Sequence, residues 1–285
     1  MNKFTVQDFF KRFPDDNACL DHLMQTRFGE TITCPKCKKQ GKFHRIKKIP
    51  AYSCQWCGHH IHPMVDTPFQ DSQTSLQKWF YAMYLFTTSR HGVPAKELQR
   101  QLGVTYKCAW RIGHEIRKYM GKVDGDAPLS GHVEIDETWV GGVKEGKGTG
   151  HAKASKTIVL GMVQRDGKAM TAIIPNIKTK TILPIVKRHV KKGSTISTDE
   201  WYAYRTLPAE GYNHGTVEHG MKQYVKGIHH TNRIEGFWSH LKRAIKGTHI
   251  HVSKKHLHKY LVEFEYRYNM RLNPWEMFSR LLASF

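Results

Sequence analysis

The stretch Val133-Glu134-Ile135-Asp136-Glu137-Thr138-Trp139-Val140 is where the chain changes character. β-Branched and aromatic residues dominate it, which predicts a strand. Strand-like runs recur at 157–164, 169–175 and 195–198, with a helix expected at about 181–192 between the last two. Several strands precede the first helix, so the pattern predicts a mixed α/β arrangement. These strands carry two acids. Asp136 is expected where the run Val133 to Asp136 ends, and Asp199 closes Ser194-Thr195-Ile196-Ser197-Thr198-Asp199. Alternation puts Glu134 on the same side as Asp136 and Glu137 on the other.

A third acid lies further along. Glu235 is the only acidic residue between Lys222 and Lys259, a stretch crowded with Lys, Arg and His. It sits in His230-Thr231-Asn232-Arg233-Ile234-Glu235-Gly236-Phe237-Trp238-Ser239, whose apolar periodicity predicts a helix. Lys242 follows two turns along the same face, and Asn232 lies one turn before Glu235. Two carboxylates on strands and a third on a helix can converge on Mg2+ or Mn2+, since Mg2+ needs only one or two carboxylates per ion. Two ions about 4 Å apart suit in-line phosphoryl displacement. Taken singly, Asp136 and Asp199 read more readily as strand caps and Glu235 as the partner of a base such as Arg233 or Lys242. Their combination in a polyanion-binding chain favours catalysis.

That polyanion is written into the composition. The 285 residues include 45 Lys plus Arg against 24 Asp plus Glu, a formal charge of +21, and nucleic acid is the first partner such a balance suggests. No run of 18 or more apolar residues and no basic amphipathic helix with a wide hydrophobic face supports a membrane reading. The start, Met1 to Asp8, lacks the apolar core of a signal peptide, so a soluble, cytoplasmic protein is expected.

In that compartment six cysteines need a role other than disulfides. Cys34-Pro35-Lys36-Cys37 and Cys54-Gln55-Trp56-Cys57 have the spacing of a zinc ribbon, in which four thiolates close a tetrahedron around one structural Zn2+. A redox dithiol is the weaker alternative. Cys19 and Cys108 lie outside the pattern and are expected as small buried residues. His59, His60 and His62 could replace a thiolate, though solvated or phosphate-facing imidazoles suit them better.

Residues 76–120 read as helical, with Leu76, Trp79, Phe80, Met83 and Tyr84 at core spacing. Within them a short helix ends at Gly103 and a second begins near Tyr106, the layout of a helix-turn-helix. The second helix is expected to offer Lys107, Arg111, His114, Arg117 and Lys118 to DNA. Ordinary helical hairpins share this pattern; the neighbouring zinc ribbon and the net charge favour the DNA-binding version. The Gly- and Lys-rich run 141–150 lacks the ending of a phosphate loop and is expected as a hairpin loop near DNA. At the far end 257–268 forms an amphipathic helix, with Leu257, Leu261, Phe264 and Tyr268 in the core.

These residues resemble the bacterial insertion-sequence transposases that join an amino-terminal zinc ribbon to an RNase H-like DDE core, the ISXO2-like family. The resemblance runs from about Phe10 to Arg271 and rests on the two Cys-x-x-Cys pairs, Ile135-Asp136-Glu137-Thr138-Trp139-Val140-Gly141-Gly142, Thr198-Asp199, and His230 to Ser239 followed by Leu241-Lys242-Arg243. It implies that Asp136, Asp199 and Glu235 are the catalytic acids and that Lys242 grips the DNA end. Some relatives use asparagine as the third ligand, which leaves Asn232 as an alternative or auxiliary to Glu235. The domains implied are a helical segment at 1–30, the ribbon at 31–66, the helix-turn-helix region at 72–122 and the catalytic domain at 128–285. Arg233, Lys242, Arg243 and Lys246 are expected on backbone phosphates. The activity implied is metal-dependent cleavage and strand transfer at element ends by at least a dimer, on double-stranded DNA of the bacterial nucleoid. A structure-specific nuclease of the same core, or a regulator with an inactive core, would share most of these features.

Overall fold

The computed structural model describes residues 4–125, 127–141, 156–217, 225 and 227–285. The run 142–150, expected as a hairpin loop, lies outside them. The chain divides into two compact units, Met1–Tyr119 together with Asn273–Phe285, and Met120–Leu272.

In the first unit, α1 (Val6–Arg12) starts at a Thr5/Asp8 capping box and α2 (Asp16–Phe28) at an Asp15 cap on the Ala18 amide. The ribbon follows: β1 (Ile32–Thr33) pairs with β2 (Gln40–Gly41), and β3 (Phe43–Ile46), β4 (Ala51–Cys54) and β5 (His60–Ile61) form a three-stranded antiparallel sheet. Three helices come next, α3 (Leu76–Thr88), α4 (Ala95–Leu102) and α5 (Tyr106–Asp124), of which the part up to Tyr119 belongs to this unit. Gly103 ends α4 in the left-handed region (φ 60°), a conformation glycine adopts without strain, and Thr105 caps α5 through the Cys108 amide.

The second unit is built on one five-stranded sheet. Its strands are β6 (His132–Val140), β7 (Thr157–Gln164), β8 (Ala169–Ile174), β9 (Thr195–Asp199) and β10 (Asn213–Val217), ordered β10-β9-β6-β7-β8. β7 is antiparallel to both neighbours, while β6, β9 and β10 run parallel. α6 (Thr179–His189) covers one face, where Ile182 and Val186 pack with Val133, Ile135, Leu160 and Met162. α7 (Asn232–Ala244) and α8 (Leu257–Asn269) cover the other, where Ile234, Trp238 and Leu241 meet Val159 and Val163. This mixed sheet between helical layers is the RNase H-like core that the resemblance implies.

Two expectations change, and one strand was not expected. Asp136 lies in the middle of β6, which stays paired with β7 as far as Val140, so the strand does not end at the acid. The strand β10 escapes a reading by pattern because Asn213-His214-Gly215-Thr216-Val217 has no apolar alternation; the bare Gly215 backbone instead admits the His229 ring, which a Cβ would meet at 2.3 Å. Finally, α9 (Met277–Leu282) belongs with the first unit, not with the catalytic domain expected at 128–285. Phe278 stacks on Phe4 at 5.4 Å and meets Phe9 edge-on at 6.0 Å, and Phe285 meets Tyr119 at 4.3 Å, so residues 278–285 complete the aromatic core of the first unit.

Candidate active site, metal centre and nucleic-acid surface

The parallel pairing of β6 with β9 joins His132 to Thr195, Val133 to Ile196 and Glu134 to Ser197, and stops there. Asp136 and Asp199 each lie two residues past the last pair, so the same register carried on would set them side by side. Residues in register on adjacent strands point to the same face, here the face under α7. Trp238 of that helix donates its indole N–H to Asp136 Oδ2 at 3.0 Å. Asp199 Oδ1 accepts the Trp201 amide at 3.1 Å. Glu235, in the first turn of α7, accepts the Thr231 hydroxyl at 2.9 Å.

The charges of these acids act on one another. Burial, then the charge of Asp199 and, more weakly, that of Glu235 raise the Asp136 carboxyl to about 6, against hydrogen bonds from the Glu137 amide and Trp238. Glu137, on the opposite face, is raised to about 7 by burial and by Asp136 and Asp199, while the Tyr204 hydroxyl it binds opposes the shift. Three acids that offer only oxygen, two of them acting by charge on Asp136, suit a hard divalent cation. The acids do not close as tightly as the cysteines: among the described residues, only the four thiols lie close enough together to hold an ion directly. Mg2+ retains several waters, so a more open set still fits it.

Glu134, which alternation set on the Asp136 side, and side chains that the sequence reading left unassigned hold this arrangement. Glu134 is fully buried, and its Oε2 accepts the backbone N–H groups of Arg233 (2.8 Å) and Ile234 (3.1 Å) at the start of α7. Its Oε1 meets Arg165 Nε at 2.7 Å and His230 Nδ1 at 3.1 Å. Arg165 also donates to the carbonyls of Ile228 and His230, and Ser197 bridges His132 and His229 at 2.7 and 2.8 Å. Trp238 was visible only as part of the helix motif. Its spacing of three from Glu235 put both on one side of a helix, and nothing local said that its indole would reach a strand 102 residues earlier.

In the ribbon the two Cys-x-x-Cys turns are alike. Each fourth residue after the first cysteine has a positive φ (Lys38 60°, Gly58 71°) and returns its amide to that cysteine's carbonyl, at 2.9 and 3.1 Å. All four Sγ atoms lie within 4.8 Å of one another, with Cys34–Cys57 at 3.7 Å and Cys37–Cys54 at 3.9 Å. A tetrahedron with Zn–S near 2.3 Å has edges of about 3.8 Å. The thiols therefore fit zinc. Cys19 is buried as expected, and Cys108 is half-buried beside the Thr74 hydroxyl.

The basic residues divide. On α5, Lys107, Arg111 and Lys118 are exposed, but His114 and Arg117 are not: each is only 3% accessible. His114 stacks on Trp110 at 3.8 Å, and Arg117 lies over Phe86 while reaching the Val93 carbonyl at 3.3 Å. A helix packed on α3 and α4 cannot offer both faces, so these two are corrected from DNA-facing to interior positions. On α7, Asn232, Arg233, Lys242 and Arg243 are exposed, and Lys246 lies in the π-helical turn Ile245–His249 that continues it. Arg233 reaches Asp166 at 3.4 Å; Lys242 has no ion pair among the described residues, so it does not serve to neutralise Glu235 here.

Comparison with known proteins agrees with this architecture. The model of the ISXO2-like transposase domain matches residues 128–269 and that of the transposase zinc-ribbon domain residues 14–60. A Halobacterium salinarum protein from the transposable element ISH50 is 26% identical over 283 residues, covering 93% of this chain and 94% of its own. A transposase-like protein of Haemophilus influenzae is 31% identical over 102 residues, 36% of this chain and 81% of that protein. Fold, ribbon and matches together define a transposase of the DDE class. The chain belongs to the ISXO2-like transposase family.

Proposed function

We propose that this transposase cuts a phosphodiester bond at each end of its element and joins the freed 3′ end to target DNA, using Asp136, Asp199 and Glu235 as one site for both steps. The observation that supports this reading is that the β6–β9 ladder ends at Glu134 and Ser197, two residues before Asp136 and Asp199, while the charges of Asp199 and Glu235 act on the Asp136 carboxyl. In the first step water attacks phosphorus and the 3′ oxygen leaves; in the second that 3′ hydroxyl attacks a target phosphorus and displaces the target's 3′ oxygen. Asp136, Asp199 and Glu235 would hold divalent cations, Mg2+ or Mn2+, which would supply activation of the attacking oxygen and charge stabilisation of the leaving one. Trp238 and Thr231 orient two of the three carboxylates. Asn232, on the exposed first turn, is an auxiliary ligand or a DNA contact.

Cys34, Cys37, Cys54 and Cys57 hold a structural Zn2+, a closed site with no position left for catalysis. The ribbon and the exposed Lys107, Arg111 and Lys118 of α5 read the terminal repeats. Arg233, Lys242, Arg243 and Lys246 lie against backbone phosphates near the scissile bond, contacts that position DNA without reading sequence. Two ends must be held together for joining, so the working form is at least a dimer. The deciding experiment is cleavage of end-containing DNA with Mg2+, followed by strand transfer from pre-cleaved ends. Asp136→Asn is expected to abolish both and to keep end binding. Undiminished cleavage by Asp136→Asn removes the proposed site; cleavage without joining by the wild type makes the protein a nuclease.

A further inference from the structure

We infer that Glu134 is a positioning residue for Glu235, tethering the first turn of α7 to the strand that carries Asp136. The inference rests on the reading of Asp136, Asp199 and Glu235 as cation ligands. Its basis is geometric. The amides of a helix's first turn have no partners within the helix, and two of them, at Arg233 and Ile234, end on one oxygen of a fully buried carboxylate. Thr231, the residue before α7, spends its hydroxyl on Glu235 and makes no side-chain cap, so Glu134 takes over the capping from another element. Glu134 and Asp136 are two residues apart on one face of β6, and Ile234 and Glu235 are adjacent on α7. One carboxylate thus fixes the distance between two of the three proposed ligands. Its second oxygen is held by Arg165, which also grips the Ile228 and His230 carbonyls, so the segment leading into α7 is fastened to the same point.

A capping role alone would be satisfied by any first-turn acceptor; this acceptor sits on the strand of the other ligand. The consequence is a specific coupling: loosening Glu134 should damage cation binding only through Glu235.

The test uses full-length protein and counts free Mn2+ by its electron paramagnetic resonance signal, independently of turnover. Wild type, Glu134→Gln, Glu235→Gln, the double variant and Asp136→Asn are compared. Glu134→Gln keeps one acceptor but loses the charge that holds both amides and Arg165 together. It is expected to weaken Mn2+ binding about 10–100-fold, the range found when groups that orient metal ligands are removed, with near-UV circular dichroism and end-DNA affinity retained. In the Glu235→Gln background the same change is expected to have little further effect. Additive losses in the two backgrounds, or unchanged Mn2+ binding by Glu134→Gln, overturn the inference. Asp136→Asn keeps the two failures apart: if it binds Mn2+ like the wild type, the assignment of the acids falls instead. Where Glu134→Gln loses its near-UV spectrum because Arg165 is left unpaired, Glu134→Gln combined with Arg165→Met takes its place. The wild type supplies a check that needs no variant: the Arg233 and Ile234 amides should exchange slowly with solvent, and rapid exchange at both removes the tether.

Discussion

Lys242 and Glu235 occupy one helix, yet they belong to different kinds of interaction. Lys242 is exposed and has no ion pair among the described residues, so its charge is available to a phosphate. Lys242→Ala should reduce the slope of log affinity against log salt by about one unit on an end fragment, since roughly one counterion is released per phosphate neutralised. Mn2+ binding by the acids should not change. A salt series on both proteins checks it. Glu265 of α8 makes an opposite case, a partly buried carboxyl. Burial raises it to about 8, although it accepts the amide and hydroxyl of Thr171. Between the ordinary value of 4.5 and about 8 the unfolded chain ionises at this position while the folded chain holds its proton. Stability is therefore present below that window and is lost as pH rises through it. Glu265→Gln, which still offers Thr171 an acceptor, should flatten this decline and gain more than about 1 kcal/mol on the wild type at pH 8. Thermal unfolding at pH 5 and pH 8 gives the comparison. At this scale the sequence singled out the acids proposed to carry chemistry and said little about what holds them. Asp136, Asp199, Glu235 and the four cysteines stand in short local patterns. Glu134, Arg165 and Trp238 act across long sequence separations, and His114 and Arg117 looked DNA-facing because periodicity marks a helix's faces without saying how many of them are covered.

Between elements, the contact that matters most is α7 on β7. Gly161 lies under Trp238, and a Cβ there would fall 2.4 Å from the indole Cζ2 and 3.1 Å from Ile234 Cδ1. Gly161→Ala should cost about 1–3 kcal/mol through overpacking. It should also displace the indole that orients Asp136, lowering cleavage further than the stability loss explains. Denaturant unfolding and single-turnover cleavage on the same preparation measure the two effects. The order of strands and helices was legible because β6 to β9 and α7 keep clean apolar patterns. Both strand surprises come from pairing: β6 continues past Asp136 because β7 still supports it, and β10 forms because β9 offers a parallel edge to a run with little strand character of its own.

For the molecule as a whole, the two units draw on different sources of stability. The second has apolar clusters on both faces of its sheet, whereas the ribbon of the first has short strands and four thiols. Removing metal with a chelator at neutral pH should unfold the ribbon and abolish sequence-specific end binding, while the second unit retains its cooperative melting transition. Calorimetry before and after chelation, with zinc added back, tests this.

The closing helix has a consequence for how the protein is made. Phe278 and Phe285 complete an aromatic core begun by Phe4, Phe9 and Phe69, and everything from Met120 to Leu272 is synthesised between those two halves. On the ribosome the first unit therefore waits, with part of its apolar surface uncovered, until the second has been translated. A chain released early can contain the whole second unit and still lack the helix that finishes the first. Completion of the first unit is in this sense a record that translation ran through the second.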